Sequence, residues 1–270
     1  MRRSWWRVQF VRRLSPAAQL PLLVAPGRRL IRLAAGFAIL SSLAGPARAS
    51  DERNALWQVV QLCVRDQQTS GIPFPCRDVD IERGFALIKV GNAHFLLIPS
   101  TRIQGIESPE LRAPGAANYW EFAWEARTRL DDASGTRLSR DEVGLAVNSA
   151  QARTQDQLHI HVGCIRPDVR AALQIYATKI EGTWSRLPFA IGGRGYRIMR
   201  IEGETLTMAN PFRLLADGIP AARAGMASQT LVVAGATFRD GRSGFYLLAG
   251  QSEKDIAASG ESLLDYQCRY

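Results

Sequence analysis

"QLHIHVGC", Gln157 to Cys164, holds two of the three histidines of a 270-residue chain, two positions apart inside an apolar run. In an extended strand, side chains at i and i+2 share a face. The spacing therefore predicts Gln157, His159 and His161 on one face and Leu158, Ile160 and Val162 on the other. The flanks place this strand in an antiparallel sheet. "GFALIKV" (Gly84 to Val90), a Gly91-Asn92 turn and "AHFLLIP" (Ala93 to Pro99) read as a hairpin upstream. "EVGLAVNS" (Glu142 to Ser149) is a further strand, "RGYRIMRIE" (Arg194 to Glu202) another, and residues 228–250 a long hairpin around Asp240-Gly241.

Helical spacing appears in "DERNALWQVVQLCVRDQQ" (Asp51 to Gln68), in "ANYWEFAWEARTRLDD" (Ala117 to Asp132) and in "RPDVRAALQIYATKI" (Arg166 to Ile180). Helices fall between strand pairs rather than after every strand, which predicts an α+β fold in one domain over residues 50–270. The tryptophans of the second helix, Trp120 and Trp124, are expected in the core.

Charge narrows the function. The chain carries a net +9, but residues 1–49 hold nine arginines and no acid, so the remainder has 34 − 9 = 25 basic against 25 acidic residues. A neutral globular part argues against a nucleic-acid partner, which needs clustered cations. Arg28, Arg29 and Arg32 precede the apolar run Leu33 to Ala44, and Ala47 and Ala49 form a small-x-small pattern before Ser50. These are the parts of a secretory signal or, if uncleaved, a membrane anchor. Residues 1–49 are thus expected to be a signal or anchor segment, with residues from about Ser50 to 270 exported. All four cysteines, Cys63, Cys76, Cys164 and Cys268, fall in the exported part. Three disulfide connectivities are open. The Gly/Pro-rich turn between Cys63 and Cys76 favours a local bridge there, leaving Cys164 for Cys268.

Four readings of the histidine pair compete: a wet strand face without chemistry, a metal site that adds Cys164 or His94, a binding module, and imidazole catalysis. Zinc needs three or four donors, and no second ligand cluster stands in the sequence, so no metal or other cofactor is expected. An imidazole works near neutral pH as base or nucleophile. Asn148, Thr154 in the polar loop before the strand, and the N-terminus of the helix opened by "IRPDVR" are candidate phosphate contacts. His94 is expected to be structural or peripheral.

Two segments resemble histidine-triad (HIT) proteins: "HFLLIPSTRIQGIESPEL" (His94 to Leu111), and "ARTQDQLHIHV" (Ala152 to Val162), which is similar to their nucleotide-binding signature. The resemblance implies a HIT-like sheet with His159 as the central, nucleophilic histidine, His161 as the third, Gln157 in the first histidine position, Thr154 as the hydroxyl and Asn148 as the preceding asparagine. "LAVNS", "HIHVGCIRPDVR", the C-terminal "QC" and the N-terminal segment further resemble the bacterial CDP-diacylglycerol pyrophosphatases. That implies hydrolysis of a phospholipid nucleotide to CMP and phosphatidate, met at a membrane surface. A periplasmic hydrolase of nucleotide sugars or dinucleotides, and a non-catalytic nucleotide or lipid carrier, are the alternatives.

Overall fold

The computed structural model describes residues 46–268. The arginines and apolar run read as a targeting signal lie outside the described residues, except that helix α1 (Pro46–Ser70) already contains the Ala47–Ala49 pattern. Among the described residues no helix is long and apolar enough to cross a membrane.

Among the described residues ten strands make one antiparallel sheet: β1 (Asp78–Asp80), β2 (Phe85–Gly91), β3 (His94–Pro99), β4 (Val143–Val147), β5 (Ile160–Ile165), β6 (Ser185–Arg186), β7 (Arg197–Glu202), β8 (Gln229–Thr237), β9 (Ser243–Gln251) and β10 (Leu264–Asp265). Their spatial order is β1-β2-β3-β5-β4-β8-β9-β7-β6, with β10 pairing the end of β5. The helices are α1, α2 (Tyr119–Glu125), α3 (Thr128–Ser134), α4 (Pro167–Tyr176), α5 (Pro211–Gly218) and α6 (Pro220–Ala224). This is the α+β class expected from the alternation of hairpins and helices.

One face of the sheet carries Phe95, Leu97, Leu145, Ile160, Val162, Val233 and Leu247, buried under Trp120, Trp124, Leu130, Phe212 and Leu215 of α2, α3 and α5. Both tryptophans are core, as expected. The opposite face holds two separate apolar clusters. Leu56, Val60 and Cys63 of α1 cover Ala86, Leu96 and Ile98, whereas Val169 and Leu173 of α4 join Ala146, Val232 and Leu248. His161 pairs across the ladder with Leu96 on one side and with Ala146 on the other. Directly opposed residues share a face, so the histidine face of β5 lies between the α1 and α4 clusters.

Three local expectations need correction. The helix drawn over 117–132 is two, because Arg127 turns back on the first: its N–H and its Nη1 both donate to the Trp124 carbonyl, and its guanidinium lies 4.2 Å from the Trp124 ring centre. The β2–β3 turn sits at Asn92-Ala93, with Gly91 still in the strand opposite His94. Most important, β5 begins at Ile160, so Gln157 to His159 precede the strand. The pairing of β3 with β5 ends at Leu97 opposite Ile160. Pro99 has no N–H to extend the ladder, and the Leu158 N–H turns to the Ile103 carbonyl at 2.6 Å.

Candidate active site

Five segments converge on the histidine face. β5 supplies His161, the approach to it supplies Gln157 and His159, the end of β4 supplies Asn148, the start of β3 supplies His94, and the tail around β10 supplies Glu261 and Tyr266. Gly163 lets that tail lie close, since a Cβ there would sit 3.0 Å from the Tyr266 ring. Cys164–Cys268 then ties the tail to β5, and Cys63–Cys76 closes the loop after α1. The described cysteines are all paired in the connectivity that the local turn favoured.

His159 and His161 are buried, 9% and 5% exposed, with ring centres 5.0 Å apart. The His159 Nδ1–H donates to the Gln157 carbonyl at 2.7 Å. A carbonyl only accepts, so this contact assigns the proton to Nδ1 and leaves Nε2 its lone pair. Burial lowers the His159 pKa below the ordinary 6.5, and the nearby Arg153 charge lowers it further against the opposing pull of the Gln157 carbonyl.

His161 is held at both nitrogens. The Asn148 Oδ1 accepts from the Ser259 hydroxyl and from the Glu261 N–H, which turns the amide nitrogen to His161 Nε2 at 3.4 Å. Nε2 is therefore an acceptor and Nδ1 carries the proton, 3.1 Å from Glu261 Oε2 and 3.0 Å from His94 Nε2. The Tyr266 hydroxyl lies 3.3 Å from the same Nδ1. Burial, then the neighbouring His159 and His94, push the His161 pKa well below 6.5. Burial also raises the Glu261 carboxyl above its usual range, against hydrogen bonds from Asn148 and Tyr266.

His94, expected at the periphery, is in this cluster. Its ring stacks on Tyr266 at 3.5 Å and 7°, and burial, with His159 nearby, lowers its pKa to about 4. Gln157 is not arranged as the strand reading had it. Its two amide protons go to the Pro99 and Thr101 carbonyls at 3.0 and 2.9 Å, and its Oε1 is a buried acceptor without a hydrogen-bond partner. It clamps the loop after β3 and offers an acceptor, not a donor. Thr154 is exposed on the bend before the strand. The N-terminus of α4 follows Ile165, six residues along β5 from His159, or about 20 Å in an extended chain. Its Asp168 is already held by Arg166. Cys164, weighed as a metal ligand, is bonded to Cys268.

The sequence reading missed Arg153, Glu261 and Tyr266. Arg153 lies within the quoted signature. Its side chain is 5% exposed, bidentate to Glu107 at 2.7 Å on both arms and 3.1 Å from Asp156. Gly105 makes room for it, since a Cβ there would meet Nη1 at 2.1 Å. With Gly105, Val147, Asn148, Gln157 and Leu158, it lines a small cavity beside His159. No spacing in the sequence links Glu261 or Tyr266 to residue 161; only β10 brings them there.

Fold and cluster together define an antiparallel α+β protein with a histidine centre built on an interior strand. The chain belongs to the CDP-diacylglycerol pyrophosphatase family, hydrolases of diphosphate bonds, whose profile matches residues 51–270. A protein of Yersinia pestis named CDP-diacylglycerol pyrophosphatase is 37% identical over 221 residues, covering 80% of this chain and 84% of the relative.

Proposed function

We propose that this chain hydrolyses CDP-diacylglycerol to CMP and phosphatidate, with His159 as the nucleophile. Family membership supports the substrate. The observation that carries the role of His159 is its Nδ1–H bond to the Gln157 carbonyl, which leaves an unprotonated Nε2 on a buried imidazole of lowered pKa. In this reading Nε2 attacks the phosphorus bonded to cytidine, the bond to the bridging oxygen breaks, and phosphatidate departs. Water then attacks the same phosphorus, CMP leaves with the new oxygen, and His159 recovers its lone pair as the water proton passes to solvent. His161, held at both nitrogens by Asn148 and Glu261, packs its ring edge-on against His159 and fixes the position from which Nε2 attacks. Arg153, held by Glu107 and Asp156, lines the cavity beside His159. Gln157 holds the carbonyl that fixes the tautomer, and Thr154 meets the nucleotide from the loop.

The protein acts on the periplasmic side of the inner membrane, held or delivered there by residues 1–49. Two disulfides support an oxidising compartment. Incubation with CDP-diacylglycerol and with CDP-glucose, with and without a chelator, tests the substrate and the metal together. CMP release from the lipid that survives EDTA is expected. Release from CDP-glucose alone would favour a soluble nucleotidyl hydrolase, and loss in EDTA restored by zinc would favour a metal.

A further inference from the structure

The loop that follows α1, "GIPFP" (Gly71 to Pro75), is tied back to the helix by Cys63–Cys76. Within it Ile72 is 70% and Phe74 75% exposed, and Val90 near the end of β2 is 48% exposed. Asp78 pairs with Leu87, and the Arg77 N–H donates to the Leu87 carbonyl. That antiparallel direction sends the chain before Arg77 toward the Lys89–Gly91 end of β2, where Val90 is exposed. Two exposed cations, Arg77 and Lys89, stand at the same end, and no carboxylate forms an ion pair with either among the described residues. Both line a small pocket with Arg129, which is 3.6 Å from Asp78, and with Asp132.

Apolar tips beside cations that no carboxylate neutralises, Lys89 lying 5.9 Å from the Phe95 ring centre, match a bilayer interface with anionic headgroups. We propose that this end of the molecule docks on an anionic phospholipid bilayer, with Ile72 and Phe74 entering the headgroup–acyl boundary and Arg77 and Lys89 meeting lipid phosphates. The inference rests on the proposed function for its purpose. His94, which touches His161, is four residues from Val90 across a two-residue turn, so the docked end lies on the order of 10 Å from the cluster. A lipid nucleotide entering from that side brings its phosphatidate end past His94 and Tyr266 and its cytidine end toward His159.

The test uses the full chain in phosphatidylcholine–phosphatidylglycerol vesicles with brominated acyl chains. The chain has six tryptophans, so a Phe74→Trp variant is compared with its parent. Extra quenching in the variant, reduced by adding Arg77→Gln and Lys89→Gln, is expected. A residue-74 signal untouched by brominated lipid overturns the proposal and leaves this end for a protein partner. Independently, Ile72→Ser/Phe74→Ser should lower turnover of vesicle-borne CDP-diacylglycerol by about tenfold while a short-chain, water-soluble analogue is turned over within about twofold of the parent. Equal effects on both substrates contradict docking. If the parent turns over neither, the activity reading fails while the quenching still decides the surface.

Discussion

His159 stays neutral where a solvent-exposed histidine would begin to protonate, and the nucleophilic role proposed for it depends on that. Burial lowers its pKa from 6.5, so the acid limb of kcat/KM is expected below 6.5. A limb at or above 6.5 would mean that another group controls the rate. Asn148 and Glu261 act through His161: they fix its tautomer and ring. Glu261→Gln or Asn148→Ala should lower kcat about 10- to 100-fold with little change in KM. A normal kcat in both variants would show that the orientation of His161 does not matter. The sequence made His159 and His161 readable because an i, i+2 histidine pair in an apolar run is conspicuous. It hid Glu261 and Tyr266, which lie about a hundred residues from His161 and reach it through a two-residue strand.

At the scale of elements, the two disulfides differ in what they hold. Cys63–Cys76 closes the turn after α1, while Cys164–Cys268 fastens the tail that carries Glu261 and Tyr266 against β5. Thiol labelling of unfolded, unreduced protein should find essentially no free cysteine. Losing either bridge should cost about 2–5 kcal/mol, but at temperatures where both variants are folded, only Cys268→Ser paired with Cys164→Ala should also lower kcat. Equal kcat in the two double variants would separate the tail from catalysis. The Glu107–Arg153 pair likewise joins the loop after β3 to the histidine segment. Glu107→Ala leaves a buried guanidinium half-paired and should cost about 3 kcal/mol by chemical denaturation. The hairpins and α1 were readable from period and turn residues. The start of β5 was not, because it depends on Pro99 of the neighbouring strand.

Across the whole molecule, three histidines share one buried cluster with Arg153, Glu261 and Tyr266, so folding is coupled to pH. The pKa values of His94, His159 and His161 are all below 6.5 in the folded state, with His94 at about 4. The unfolded chain binds protons through 6.5 that the folded chain refuses, so their contribution is full above 6.5 and falls as pH drops toward 4. Glu261, with its pKa raised, works the other way: its contribution is full below the ordinary carboxyl value and is lost as pH rises through its folded pKa. Three groups against one set the sign. Urea midpoints should therefore fall between about pH 7 and pH 4.5, by up to about 1.4 kcal/mol per pH unit for each histidine. A flat profile would contradict the burial of the cluster. The α+β architecture was readable at this scale because hairpins and helices alternate in the chain. The division of one sheet face into two apolar clusters with the histidines between them was not, since it depends on strand order.

The stereochemistry at phosphorus tests the central claim, that His159 attacks as a nucleophile, most directly. A CDP-diacylglycerol made chiral by sulfur at the cytidine-bearing phosphorus is turned over in isotopically labelled water, and the configuration of the released CMP thiophosphate is determined. Two successive in-line displacements through a histidine intermediate predict net retention. Net inversion would mean a single attack by water and would rule out the covalent route.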